Sequence, residues 1–410
     1  MTMSLRPDVS GTYGAVQLNG VDKLLLNADS TLAGVLSPTK GDRSNNLATT
    51  SFLQSAIDTF TGRNRIINGD CRVAQWPTVT TATGGSGYSA VDRYIATLTT
   101  GSGGSLTQSQ GTLTYSGIAK SCVAQIVVGV MTATTGTAAW SGVTQFIEGY
   151  NCADLLGKSV TVSFLWNSNV AGTFPVSLSD GPFGKSIVST FTALANTPTK
   201  VSITFAIPST WSIPNSNLAG LNLSIGAINT ASYQAPATNT AYSVYYMTAP
   251  GCTNWATVAG NVIAVTDLQL EEGLTATPFE RRPFGQELAL CQRYFQNVLT
   301  SQMTPVTAAG ASSVTALFPH HTPMRTLPTA VTNVVDSTFS NGQAGTPVSG
   351  QWSLLSSGVQ YVTKTGTISF GIYTGVQYST ISLTGMTMSS TPNLLQMGAN
   401  MYIYLTAELF

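Results

Sequence analysis

Between residues 63 and 280, apolar side chains recur at every second position in short runs. Val160, Val162, Phe164 and Trp166 form one such run. Val201, Ile203, Phe205 and Ile207 form another, and Leu221, Leu223, Ile225 and Ala227 a third. A period of two places alternate side chains on one face of a strand. Turn-forming clusters separate the runs: Gly84-Gly-Ser-Gly87, Gly101-Ser-Gly-Gly104, Asn167-Ser-Asn169 and Ser179-Asp-Gly-Pro182. Many short strands at this spacing predict an all-β sandwich.

The period changes between Asp267 and Phe295. Leu268 and Leu270 still alternate with polar neighbours, but Gly273 and Pro278 break the strand. Leu288, Cys291, Phe295 and Val298 then recur three or four apart, which predicts a short helix opening a second β domain over 281–410. Strand candidates there are Ala316–Phe318, Ile381–Leu383 and Met401–Leu409. In the last, Met401, Ile403, Leu405 and Leu409 share a face. Upstream, Ser51 and Gln54 form a capping box ahead of Leu53, Ile57 and Phe60, with Gly62 to close the turn. A helix over 52–60 follows, too short to be stable alone. Three copies side by side would hide its apolar stripe, the competing reading being a lone surface helix. Residues 1–40 show short apolar pieces between glycines and read as strands and loops ordered by partners.

Charge sharpens this division. The 410 residues contain 17 basic and 17 acidic side chains. At 8% the charged fraction is far below the roughly 25% of ordinary globular proteins. Asp267, Glu271, Glu272, Glu280, Arg281, Arg282, Glu287 and Arg293 nevertheless crowd into one connector, where an even spread would put about two. Glu280, Arg281, Arg282 and Glu287 are expected to form ion pairs locking the sandwich to the C-terminal domain, within or between protomers. The competing reading is a solvated turn. With zero net charge and no basic cluster, nucleic-acid binding is not expected. No apolar run reaches the roughly 18 residues of a membrane span, so no membrane insertion is expected. The N-terminus lacks the apolar core of a signal peptide, which predicts synthesis in a cytoplasm. Five cysteines without a Cys-x-x-Cys read as small buried apolar residues.

The connector also carries a resemblance. Leu270-Glu-x-Gly-x-x-x-Thr-Pro-Phe-Glu280, followed by Glu287-Leu-x-Leu-Cys-x-Arg-Tyr-Phe295, resembles the junction in tail fibre and tail spike proteins of tailed bacteriophages. Asn68-Gly-Asp-x-x-Val-Ala-Gln-Trp76 and Ala90-Val-Asp-Arg-Tyr94 are similar to motifs that open a jelly-roll domain there, like those of carbohydrate-binding modules. Leu47-Ala-Thr-Thr-x-Phe52 is similar to helical segments on the virion side of phage fibres. The resemblance implies three parts: a virion-attachment segment (1–62), a jelly-roll domain (63–280) and a C-terminal β domain, a small sandwich (281–410).

Catalytic motifs are lacking: no Walker loop, no His-Glu-x-x-His, no Gly-x-Ser-x-Gly. His320 and His321 are adjacent and diverge on an extended chain, so they share a metal only across a threefold axis. No cofactor or metal is expected. A glycosidase needs two carboxylates about 5–9.5 Å apart. The candidates are Asp70, Asp92, Glu148, Asp154, Asp180, Asp267, Glu271 and Glu272. The neighbours Glu271 and Glu272 diverge, and no activity as an enzyme is expected. Sugar binding requires exposed aromatic faces. Trp76, Tyr94 and Trp166 read as core, whereas Trp211 and Trp255 look loop-borne and are the ligand candidates.

Together these features predict a tail fibre or receptor-binding appendage of a virion, a homotrimer held to other tail or baseplate proteins by its N-terminal segment. It would attach to a glycan or protein of the host surface. The runner-up is a purely structural collar, whisker or baseplate component, and the third reading is a glycan depolymerase.

Overall fold

The computed structural model describes residues 62–82, 85–98, 103–130, 142–228 and 233–299, and shorter segments on either side. Those segments are 3–7, 13–18, 21–27 and 32–33, then 302–303, 305–306, 313–332, 352–356, 359–360, 362–374, 378–388, 394–397 and 402–409. The chain forms two compact units, Met1–Gly62 and Arg63–Phe410. In the first, Met3–Pro7, Tyr13–Leu18, Val21–Asn27 and Leu32–Ala33 pair in sequence order as an antiparallel meander. Leu53, Ile57 and Phe60 lie outside the described residues.

The second unit is built on a jelly-roll sandwich of two antiparallel sheets. In the seven-stranded sheet, Ala241–Tyr242, Ser186–Ala193, Gly172–Asp180, Ala219–Ile225, Val143–Glu148, Ile95–Thr97 and Ser86–Tyr88 follow one another. The six-stranded sheet runs Thr199–Ala206, Ser159–Ser168, Val262–Glu272, Ile118–Gly129, Ser105–Tyr115 and Val79–Ala82. The three alternating runs lie on strands except at their last members, Ile207 and Ala227, which fall just past the strand ends, and all but Ala227 meet in one core. Val160, Val162, Phe164 and Trp166 on one sheet pack with Phe174, Val176, Leu221, Leu223 and Ile225 on the other. The layers are joined by apolar burial, at about 25 cal/mol per Å² removed from water.

Gly226 shows how tightly the layers close. Its φ is +71°, and a Cβ there would stand 2.8 Å from the Trp166 ring. Only glycine combines that conformation with that approach. Gly69 has a parallel role at the sandwich opening. A Cβ would sit 2.2 Å from the Leu268 carbonyl, whose own N–H donates to Gly69 O at 2.9 Å. The Asn68-Gly-Asp motif is therefore a close backbone contact with the last long strand.

Past the sandwich, Phe284–Gln292 is the α-helix of the described residues. It is shorter than its apolar spacing suggested. Phe295 and Val298 lie on the strand Phe295–Leu299, which pairs with Tyr402–Thr406. The helix ends because Tyr294 turns inward, fully buried, and hands its backbone to Ala407 at 2.7 Å. Sheet pairing then offers Phe295–Leu299 more than a third helical turn. Ser313–Pro319 and Tyr378–Met388 contain the expected strands Ala316–Phe318 and Ile381–Leu383. Of the expected Met401–Leu409 only Tyr402–Thr406 is strand, Ala407–Leu409 continuing without pairing as strand and Met401 lying outside the described residues. Leu405 and Leu409 are both buried. Leu409 packs with Ile67, Val73, Tyr88, Cys291 and Tyr294, so the last described residue reaches the base of the sandwich.

Candidate ligand-binding site

The alternation that sends Leu221, Leu223 and Ile225 into the core sends Asn222 and Ser224 to the outer face of the seven-stranded sheet. On the adjoining strand Thr144 pairs with Ser224 and Phe146 with Asn222, and Ile95 pairs with Thr144 one strand further. This polar strip is roofed. Phe183 follows the Ser179-Asp-Gly-Pro182 turn and meets Phe146 edge-on, ring centroids 5.6 Å apart. Tyr245 meets Phe183 at 4.9 Å and Tyr233 at 5.8 Å, both edge-on. Met247 completes the roof, leaving a cleft of about 80 Å³ with almost wholly apolar walls.

One polar group inside it stands out. Asn222 lines the cleft yet is 2% exposed. Its Nδ2 donates to Tyr245 Oη at 3.2 Å, while its Oδ1 has no hydrogen-bond partner. An orphaned buried acceptor costs about 1–3 kcal/mol. The Thr144 hydroxyl, by contrast, donates to Ser224 Oγ at 2.9 Å. Burial pushes the Tyr245 hydroxyl well above the ordinary tyrosine range, so it stays a neutral donor and acceptor. The cleft contains no carboxylate, histidine or cysteine.

The aromatic residues expected to meet a ligand lie elsewhere. Trp211 is 5% exposed and Trp255 fully buried, both in the main core. This corrects their reading as sugar-binding platforms. Trp255 enters the core because its indole N–H donates to Gly226 O at 2.8 Å, removing the cost of burying it. The sequence places Trp255 in a loop, whereas Gly251–Asn254 lead into a short 3₁₀ turn over Trp255–Thr257, capped by Asn254, that carries the indole inward.

The connector residues do come together, though unequally. Arg282 is 7% exposed and donates to Ile66 O at 3.0 Å, to Asn64 O and to Glu287 Oε1 at 3.3 Å. Its Nε lies 3.6 Å from Glu280 Oε1. Glu280 accepts from Asn64 N at 2.7 Å, and Glu287 accepts from Asn68 N at 2.5 Å. Burial pushes the Glu287 carboxyl up, opposed by the Asn68 N–H and the Arg282 guanidinium. Arg281 stands apart, its side chain 55% exposed and 3.9–4.0 Å from Asp70 and Asp267. The connector thus fastens the opening Asn64–Asn68 segment to the helix, with Arg282 as its centre.

Asn68 ties the remaining motifs in. Its side chain donates to Val73 O and Asp92 O and accepts from Val73 N, and Tyr94 donates to its carbonyl. Asp92 holds Gln75 through the backbone N–H at 2.7 Å and the side-chain amide at 2.5 Å. Burial raises its carboxyl to about 6, the hydrogen bonds from Gln75 working against that. A second charged cluster anchors the chain end. Arg93 pairs with Glu408 while lying 3.5 Å from the Tyr294 ring centroid, and Glu148 holds Arg293 and Tyr294. Trp76 is half-buried and stacks on Phe295 at 3.8 Å.

The other candidates for chemistry are occupied by structure. Among the described residues, all five cysteines are buried thiols outside any disulfide, pushed up by burial. His321 is exposed and its backbone N–H donates to Gln296. No group of three or more His, Cys, Asp or Glu is placed to hold a metal among the described residues. The described residues contain no helix long and apolar enough to cross a membrane.

No protein-family profile and no curated protein matches the chain. Among solved structures it is similar to the enzymatically active domain of tailspike protein 4 of bacteriophage CBA120, at 11% identity and a TM-score of 0.26. That match covers 52% of this chain and 22% of the tailspike chain. It is also similar to a CBM4 structure, at 10% identity and TM-score 0.25 over 50% of this chain and 98% of that one. An arabinose-bound MgGH51 α-L-arabinofuranosidase matches at 10% and 0.26, over 57% of this chain and 29% of its own. The chain is accordingly defined by its architecture: a jelly-roll sandwich with a roofed cleft on one outer face and a charged clasp at its base.

Proposed function

We propose that the protein is an adhesive structural subunit of a phage tail, a tail fibre or receptor-binding appendage, that binds host glycans without cleaving them. The observation that carries this reading is the make-up of the cleft. Aromatic walls suit a saccharide, and the cleft contains no acid or base to hydrolyse one. Described acids elsewhere are committed to the framework: Glu148 to Arg293, Asp154 to Arg65, Asp180 to backbone N–H groups, Asp267 to Lys120 and Glu272 to Lys158. Glu271 is held by Gln269 and Thr277.

A single cleft this small gives weak affinity, so adhesion depends on several copies acting together. The proposed assembly is a homotrimer in the virion tail, attached to other tail or baseplate proteins through residues 1–62. Charge-poor outer faces such as the exposed Ile118, Val128 and Val130 suit contacts between copies. Fluorescently labelled full-length protein should bind host cells, lose that binding after the surface polysaccharide is stripped, and release no reducing sugar from it. Undiminished binding to stripped cells, or reducing-sugar release, overturns the reading. Particle incorporation with no cell binding supports the purely structural collar or baseplate role.

A further inference from the structure

The main core between the two sheets draws its buried residues from Ile66 to Leu270 and none from the described chain beyond. Residues 402–409 nevertheless lie against the base of the sandwich. Tyr402–Thr406 is the middle strand between Phe295–Leu299 and Thr329–Thr332. Past it, one main-chain bond, Ala407 N to Tyr294 O, is joined by side chains that hold Ala407–Leu409 as an extended peptide. The Arg325 guanidinium donates to the carbonyls of Ala407 at 2.8 Å and Glu408 at 3.1 Å, and Tyr88 Oη donates to that of Leu409 at 2.5 Å. The Glu408 carboxylate pairs with Arg93, whose side chain is 1% exposed. Leu409 packs beside Tyr88 and Tyr294 in a small cluster outside the main core. Two arginines and an apolar end suit this slot to an extended segment bearing an acid followed by an apolar side chain. The slot also reaches the cleft. Arg93 Nη2 donates to Phe146 O at 2.7 Å, and Tyr88 pairs with Ile95 on the neighbouring strand. Phe146 and Ile95 both line the cleft.

We propose that residues 402–409 are a releasable latch, an intramolecular peptide ligand whose seating in this slot fixes the floor of the cleft. Release leaves the main core closed, because no residue of the latch belongs to it. It leaves Arg93 buried without its carboxylate, so the guanidinium turns toward water and Phe146 O loses its donor. The strands Ile95–Thr97 and Val143–Glu148 then loosen together. The latch is independent of what the cleft receives, and its failure leaves the proposed glycan binding untouched.

Hydrogen exchange of the full chain, read by mass spectrometry, tests the latch in the unaltered protein. Fragments covering 402–409 should exchange about tenfold or more faster than those covering Ser159–Ser168 in the main core. Equal rates make the segment ordinary framework and overturn the proposal. Full-length Glu408→Lys, which sets a second cation against Arg93, should open the latch and speed exchange over 95–97 and 143–148 by about tenfold. A fluorescein-labelled synthetic peptide of residues 402–409 should bind that variant about tenfold more tightly than the parent, whose own segment fills the slot. It should also return both strands to slow exchange, and the same peptide bearing Glu408→Lys should do neither. Peptide binding that leaves 95–97 and 143–148 unchanged overturns the coupling to the cleft and the proposal with it. So does a variant that binds the peptide no better than the parent. A variant that loses the protection of Ser159–Ser168 as well shows the segment to be part of the core, which also overturns it.

Discussion

The clasp around Arg282 and the cleft around Asn222 both bury polar groups in a protein poor in charge, and they are built in opposite ways. In the clasp, Arg282 satisfies two backbone carbonyls and two carboxylates, while those carboxylates accept the N–H groups of Asn64 and Asn68. In the cleft, the Asn222 side chain lies beneath largely apolar walls with its Oδ1 buried and unpaired. A fully satisfied network fixes one geometry, whereas an unpaired buried group costs stability. The difference separates the place where the protein spends its charges on structure from the place proposed to receive a ligand.

Removing the centre of the clasp gives the sharpest contrast. Arg282→Met should destabilise the protein by about 3–5 kcal/mol, because Glu280 and Glu287 would remain buried without their cation. Urea unfolding measures this. A loss below about 1 kcal/mol would mean the network is not what holds the helix to the sandwich.

The next largest effect is a pH dependence beside the clasp. The folded carboxyl of Asp92 titrates at about 6 against 3.8 for the free group. The folded state therefore keeps this proton where the unfolded state has released it. Stability must fall as pH rises from about 4 to 6, by on the order of 2–3 kcal/mol from this group. Asp92→Asn should remove that decline, so the variant gains on the parent as pH rises through this window. Parallel stability curves for the two would contradict it.

At the cleft the same kind of change should cost little. Asn222→Leu loses one hydrogen bond to Tyr245 but also removes an unsatisfied acceptor, so stability should change by no more than about 1 kcal/mol. A loss comparable to that of Arg282→Met would show that the cleft is framework after all. Smallest of all is Arg281→Ala. With an exposed side chain and carboxylates at 3.9–4.0 Å, it should shift stability by about 0–1 kcal/mol, and raised salt should leave little of that.

Some of these features could be read from the chain directly. The alternating runs at 160–166, 201–207 and 221–227 mark three strands, the last two overrunning the strand ends by one and two residues, because period two is a local property of pleated backbone. The charge density of 267–293 marked the connector for the same reason: it is visible in composition. What each charge does was not visible. Arg281 and Arg282 are neighbours of one type, yet one is exposed and the other is the centre of a network spanning more than 200 residues of sequence. Trp211 and Trp255 went the other way, since flanking polar residues suggested loops while the core had room and, for Trp255, a carbonyl to take the indole. The cleft left one trace, the parity of Asn222 against Leu221 and Leu223. Its roof of Phe183, Tyr245 and Met247 comes from segments that no local pattern links to that strand.

The sequence by itself determined the strand positions, the absence of catalytic motifs and the location of the charged junction, because periodicity, motif and composition are short-range properties. Tertiary structure alone decided that Trp211 and Trp255 are core, which arginine is the clasp and where the cleft lies. Burial and hydrogen-bond satisfaction are set by residues far apart in the chain, and they exist only once the two sheets have closed on one another.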